Sequence, residues 1–145
     1  MKTRFKVLSV LLLAGVLLAC LVFYFMYNKP HPDYEKMEAA YTLPANELFS
    51  AYTANKAEAG KKYNGQVIVV KGAVSKVESS DSLAVVVFVF RQGIFGDEGL
   101  RCTMSPSHIA KAKALQPGKE VILKGFCSGF NDTDVVLEKC SFAKQ

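Results

Sequence analysis

Cys102, Cys127 and Cys140 are the side chains most open to covalent chemistry in the C-terminal part of this 145-residue chain, and Cys20 lies in an apolar run near the N-terminus. Three thiols can close one disulfide and leave one over where the compartment is oxidising. A zinc site would need them together with His108. No C-x-x-C or H-x-x-x-H pair occurs, so the spacing does not point to a metal. His31 and His108 are far apart in sequence, and Ser105 and Ser107 read as helix-capping residues rather than nucleophiles. The carboxylates Asp97-Glu98 and Asp132/Asp134 fall in turn-like sequence; a polymer hydrolase would need such a pair in a cleft, and it ranks last here. There is no G-x-S-x-G elbow and no phosphate loop. No catalytic, cofactor-binding or metal-binding residue is assigned, no cofactor is implied, and the expectation is a protein that is not an enzyme.

Recognition is the other chemistry the residues allow. Phe88, Phe90, Arg91, Phe95, Arg101 and Phe130 combine rings with cations, as a surface that stacks single-stranded nucleic acid would. Phe88 and Phe90 alternate on one face of an almost wholly apolar stretch and read as core. Arg91, Phe95, Arg101 and Phe130 remain as ligand-face residues. Lys56, Lys61 and Lys62 read as the solvated face and C-terminal end of a helix, where cations offset the dipole.

Several elements must carry these residues. Residues 1–6 hold Lys2, Arg4 and Lys6 and no acid, and Val7 to Tyr27 follow without a charge or proline. At about 1.5 Å per residue this run spans a hydrocarbon core of roughly 30 Å. A cleaved signal peptide would have a shorter run ending at small residues. Leu17-Leu18-Ala19-Cys20 looks like a lipobox with Cys20 as the lipidated residue, but seven more apolar residues follow it. The favoured reading of 7–27 is an uncleaved signal anchor, with Tyr24 and Tyr27 toward the outer interface and the basic flank in the cytoplasm. The domain beyond it would face outward, into the periplasm of a bacterium with two membranes. Of the 18 basic residues three lie in the flank, so residues 28–145 keep 15 against 13 acids, a net of +2. That is a weak electrostatic footprint for nucleic acid.

Residues 28–43 read as a polar linker and 44–145 as a folded domain. Pro44 opens a helical pattern with Leu48, Ala51 and Tyr52 on one face, and Asn55-x-x-Glu58 resembles a capping box. From Gln66 the pattern changes to strands: 66–77, 83–91, a short third at 100–104, then a small helix at 108–115, and strands at 119–130 and 134–142. The expected loops are 78–82, 92–99 and 129–134. Val67 to Gly72 is echoed by Val121 to Gly125, and a glycine inside a strand marks a bend or a close approach. Three strands, a helix and two strands is the order of a five-stranded Greek-key barrel, the OB-fold. The fold class is therefore mainly β with helices, preceded by a transmembrane helix and a short helical segment.

The anchor together with ELFSAY, KKYNGQVIVVKGAV, LRCTM, LQPGKEVILKGFCSGF and VVLEKCSF resembles a group of bacterial membrane-anchored OB-fold proteins, the tRNA_anti-like family, over about Leu43 to Phe142. Pro44 stands where many members carry a capping Thr. The resemblance implies the fold; its tRNA label is a fold-level analogy and implies no established activity.

Cys127 and Cys140 fall on the last two strands, joined by a short turn, and a disulfide between them is expected, with Cys102–Cys140 as the rival pairing. The leading function is an outward-facing binding module for a protein partner or envelope ligand; the alternative is single-stranded nucleic acid on the same face.

Overall fold

The computed structural model describes residues 2–28 and 32–144; His31 lies outside the described residues. The chain divides into two units, residues 1–32 and 33–145. The first contains the helix α1 (Lys2–Tyr27). Its segment Lys6–Tyr27 is long and apolar enough to cross a membrane.

The second unit is built on one mixed sheet. Its strands are β1 (Tyr41–Pro44), β2 (Val67–Ala73), β3 (Lys76–Ser79), β4 (Ala84–Gly93), β5 (Gly96–Met104), β6 (Glu120–Phe130) and β7 (Asp134–Phe142). The helices α2 (Ala45–Ala54) and α3 (Lys56–Tyr63) precede β2, and a 3₁₀ turn (Pro106–His108) leads into α4 (Ile109–Lys113). The order across the sheet is β1-β2-β6-β7-β5-β4-β3, with β1–β2 and β5–β7 parallel and the other pairs antiparallel.

Seven strands stand where five were expected, for two reasons. The stretch read as one strand, 66–77, is divided: β2 and β3 are separated only by Val74 and Ser75. At that point the backbone changes partner. The Val74 amide donates to the Lys119 carbonyl, next to β6, while the Ser75 amide donates to the Val87 carbonyl in β4. The Ser75 hydroxyl oxygen accepts from the Val89 amide at 2.8 Å. The seventh strand, β1, forms at residues read as linker and the helix start. Residues 33–41 pack on the domain: Tyr34 stacks on Phe126 at 4.8 Å, Tyr41 meets Tyr63 edge-on at 5.1 Å, and the Ala40 amide donates to Val67. The polar spacing there hides a few well-placed rings.

The loop expected over 92–99 is a tight hairpin instead. Gly93 pairs with Gly96, so only Ile94 and Phe95 form the turn, and β5 starts four residues earlier than predicted. Gly96 supplies the backbone freedom that the turn needs (φ 119°).

The core is formed by Ile68, Val70, Val86, Phe88, Leu100, Cys102, Leu123, Val135, Leu137 and Cys140, all without solvent exposure. α2 lays Leu48, Phe49 and Tyr52 onto it. Both glycines of the echoed Lys-Gly segments are close approaches. A Cβ at Gly72 would meet Ala45 and Phe88 at 3.2 Å, and one at Gly125 would lie 2.5 Å from the Cys140 sulfur. α3 starts at the expected box: the Asn55 side chain accepts from the Glu58 amide at 3.2 Å.

Phe88 and Phe95 occupy opposite extremes of this fold. Phe88→Ala should cost about 3–5 kcal/mol in denaturant unfolding, whereas Phe95→Ala should stay within about 0.5 kcal/mol.

Candidate ligand-binding cleft

Phe130 ends β6 and is half-buried, between α2 and the β6–β7 turn. Its ring lies 5.7 Å from Tyr52 and 6.4 Å from Phe49. These contacts belong to a continuous row of rings, Phe90–Phe49–Phe130–Tyr52–Tyr63–Tyr41, with neighbouring centroids 5.1–6.4 Å apart. Helix periodicity builds the row: Phe49 and Tyr52 share one face of α2, and Tyr63 closes α3.

Beside Phe130 lies an open cleft of about 640 Å³, lined by Tyr52, Lys56, Ala57, Gly60, Lys61, Asn64 and Phe130. The Asn64 amide is set between two glycines: a Cβ at Gly60 or Gly129 would come within 3.2 Å of it. Tyr52 donates to the Asn64 Oδ1 at 2.6 Å and lies 3.3 Å from the Cys127 sulfur. Lys56 sits 5.7 Å above the Phe130 ring and pairs with Asp132 at 2.5 Å. Lys61 is exposed and has no ion-pair partner among the described residues, so it is the cation of the cleft open to an incoming anion.

The other predicted face is different. One rung across β3–β4–β5–β7 runs Lys76, Val87, Arg101, Val136, and the next carries Glu78, Val85 and Thr103. Arg101 pairs with Glu78, Lys76 reaches Glu78 at 3.3 Å and Asp97 at 3.0 Å, and Gln92 donates to Asp97. These partners hold the Glu78 carboxyl below its ordinary pKa against the opposing effect of burial, and the Asp97 carboxyl below its own through Lys76 first and Gln92 second. The charges cancel within the surface, and no ring stands on these two rungs.

The four ligand-face residues are therefore not brought together. Arg101 lies in the paired network. Arg91 pairs with Glu98, its Nε 2.6 Å from Oε2, and its guanidinium sits 5.8 Å from the Phe49 ring. Phe95 is at the hairpin tip, and Phe130 alone reaches the cleft. Phe88 is core, as expected, but Phe90, expected on the same core face, is 39% exposed and packs on Phe49 instead. Reasoning from sequence passed over Asn64 and Tyr52 as cleft residues and set Lys61 aside as helix surface. The Asn64-Gly65 stop signal marked the place, but its contact with Gly129 joins residues far apart in the chain.

The expected Cys127–Cys140 disulfide does not form; all four cysteines are free, Cys20 exposed and the others buried. Register is the reason. Cys127 stands opposite Leu137 and faces the Tyr52 hydroxyl, while Cys140 stands opposite Met104 and packs against Gly125 and Cys102. Burial pushes the Cys127 thiol up, with the Tyr52 hydrogen bond acting the other way, and burial raises Cys140 strongly, reinforced by Cys102. Neither is a thiolate nucleophile. Burial, then Cys127, also pushes the Tyr52 phenol well above its ordinary range. His108 is spent on Glu35 at 3.1 Å, and no metal-holding group of His, Cys, Asp and Glu occurs among the described residues.

These shifts fix a pH dependence. The unfolded chain loses thiol protons above about pH 8.5 and phenol protons near pH 10, while the folded chain keeps them on Cys127, Cys140 and Tyr52. The folded state then binds more protons, so stability is full below pH 8.5 and falls as pH rises. Unfolding midpoints between pH 7 and 11 should show this, with a shallower fall in Cys140→Ala.

Comparison with known proteins agrees with this architecture. A Klebsiella pneumoniae protein, named a nucleic acid-binding lipoprotein, is 20% identical and superposes with a TM-score of 0.54, covering 80% of this chain and 100% of its own. At that identity the likeness shows the fold alone. A Leishmania major aspartyl-tRNA synthetase chain superposes at a TM-score of 0.45 with 13% identity, over 88% of this chain and 26% of its own, too loosely to carry an argument. No curated protein matches the sequence. The tRNA_anti-like family matches residues 1–142, apolar helix and folded unit together, and the chain belongs to that family.

Proposed function

We propose that this protein is a non-catalytic binding module held at the membrane by α1, with its second unit outside the cytoplasm, recognising a protein partner or envelope ligand at the Phe130 cleft. In this reading β2 and β3 are two halves of one bent strand, and with β4 to β7 they make the five-stranded OB barrel, to which β1, α2 and α3 are additions. Three basic residues before the apolar run favour a cytoplasmic N-terminus. The observation that carries the choice of site is the contrast between the two faces: the sheet rungs spend their cations internally, while Lys61 stands unpaired beside an aromatic floor. Ligand sites combine such apolar lining with a few polar groups that fix orientation.

The test is photo-crosslinking in intact bacterial cells from a benzophenone residue at position 130, paired with protease treatment of spheroplasts. The reading expects an adduct from position 130, none from Asp81, loss of the adduct with Lys61→Glu, and digestion of the C-terminal unit from outside. A protected C-terminal unit, or an adduct equal at both positions, overturns it.

Single-stranded nucleic acid is the second reading. Two rings and two lysines in one cleft are what favour it, together with the name carried by the Klebsiella protein. Fluorescence anisotropy with a labelled oligothymidylate would then show an affinity falling steeply with salt and lowered at least about tenfold by Lys61→Glu. A flat salt response speaks for the first reading.

A further inference from the structure

The β4–β5 hairpin ends in two side chains that the fold does not use. Ile94 is 96% and Phe95 92% exposed, far above every other large apolar residue of the second unit. Two-residue hairpin turns favour Asn, Asp and Gly, whose backbones accept positive φ. Here neither Ile94 nor Phe95 takes a positive φ, and Gly96 carries it instead. The glycine frame leaves the tip free for bulk, and bulk that costs solvation is what the sequence places there. A local rule broken without benefit to the fold marks a functional position.

We propose that the Ile94–Phe95 tip inserts into the interfacial layer of the bilayer that holds α1. This rests on reading α1 as a membrane anchor. The charges behind the tip suit a lipid surface. Glu98 is matched by Arg91, and Asp97 by Lys76 and Gln92, so the hairpin stem presents no unpaired acid to anionic headgroups. Reach is set by the chain: only five residues separate Tyr27, the end of α1, from Asp33, the start of the second unit, and five residues span at most about 18 Å. Two apolar side chains give weak, reversible insertion by themselves. A short tether turns that into an intramolecular event at high effective concentration, where a weak contact is well populated. A pocket on a partner protein would also accept the tip, and the experiment separates the two.

The chain contains no tryptophan, so a single one reports its own surroundings. The full chain carrying Phe95→Trp would be reconstituted into vesicles of phosphatidylethanolamine and phosphatidylglycerol, with and without bromine on the acyl chains. Insertion predicts a blue-shifted emission quenched at least about twofold by brominated lipid and shielded from acrylamide. Leu83→Trp, in the loop between β3 and β4, should be open to acrylamide and untouched by bromine. Tyr24→Trp should be quenched by bromine and reports the anchor. Quenching at Tyr24 without quenching at Phe95 overturns the insertion and leaves the anchor standing. No quenching at either site overturns the anchor and the insertion with it. A blue shift at Phe95 that bromine does not quench, or equal quenching at Leu83, also overturns the proposal.

Discussion

Residues 67–79 must satisfy hydrogen-bonding partners at both ends of the strand order, and the rest of the second unit is arranged around that demand. Up to Val74 the backbone bonds to β6 and the residues before it; from Ser75 it bonds to β4. One continuous stretch therefore ties the two flanks of the sheet together, leaving few unpaired edge groups around an apolar interior. Val74 is buried at the switch, the Val74 and Ser75 amides both keep a carbonyl partner, and Ser75 lends its hydroxyl to the Val89 amide.

Crowding is the second consequence of that arrangement. Gly99 has the Phe88 carbonyl 1.8 Å from where its Cβ would stand, and Gly125 has the Cys140 sulfur in the same position. The cysteines are best understood as small volumes in this packing. Cys127 fills the space under Tyr52, whose hydroxyl is shared between the thiol and Asn64. The floor of the cleft and the core are thus one connected structure.

Sequence reading captured what depends on local pattern. The Asn55 cap, the apolar run of α1, the apolar stretch that buries Phe88 and the two close-approach glycines were all visible, because periodicity and turn chemistry act within a few residues. Family resemblance was legible too. What escaped was register. No pattern within β6 or β7 reveals that Cys127 faces α2 while Cys140 faces β5, since bulges near Lys124 and Cys127 shift the pairing. The pairing of Arg101 with Glu78 and of Lys76 with Asp97 was equally hidden, and it ties Arg101, one of the expected ligand-face residues, into a local charge network. β1 escaped because four residues bordering a proline are too short to show a strand period.

β1 is the first strand of the second unit. It holds to β2 through four rungs, from Tyr41–Ile68 to Pro44–Lys71, with the Tyr34–Phe126 stack just before it. Pro44 of β1 runs directly into α2, which with α3 lines most of the cleft, so the four rungs and the ring stack fix where the helices of the cleft begin.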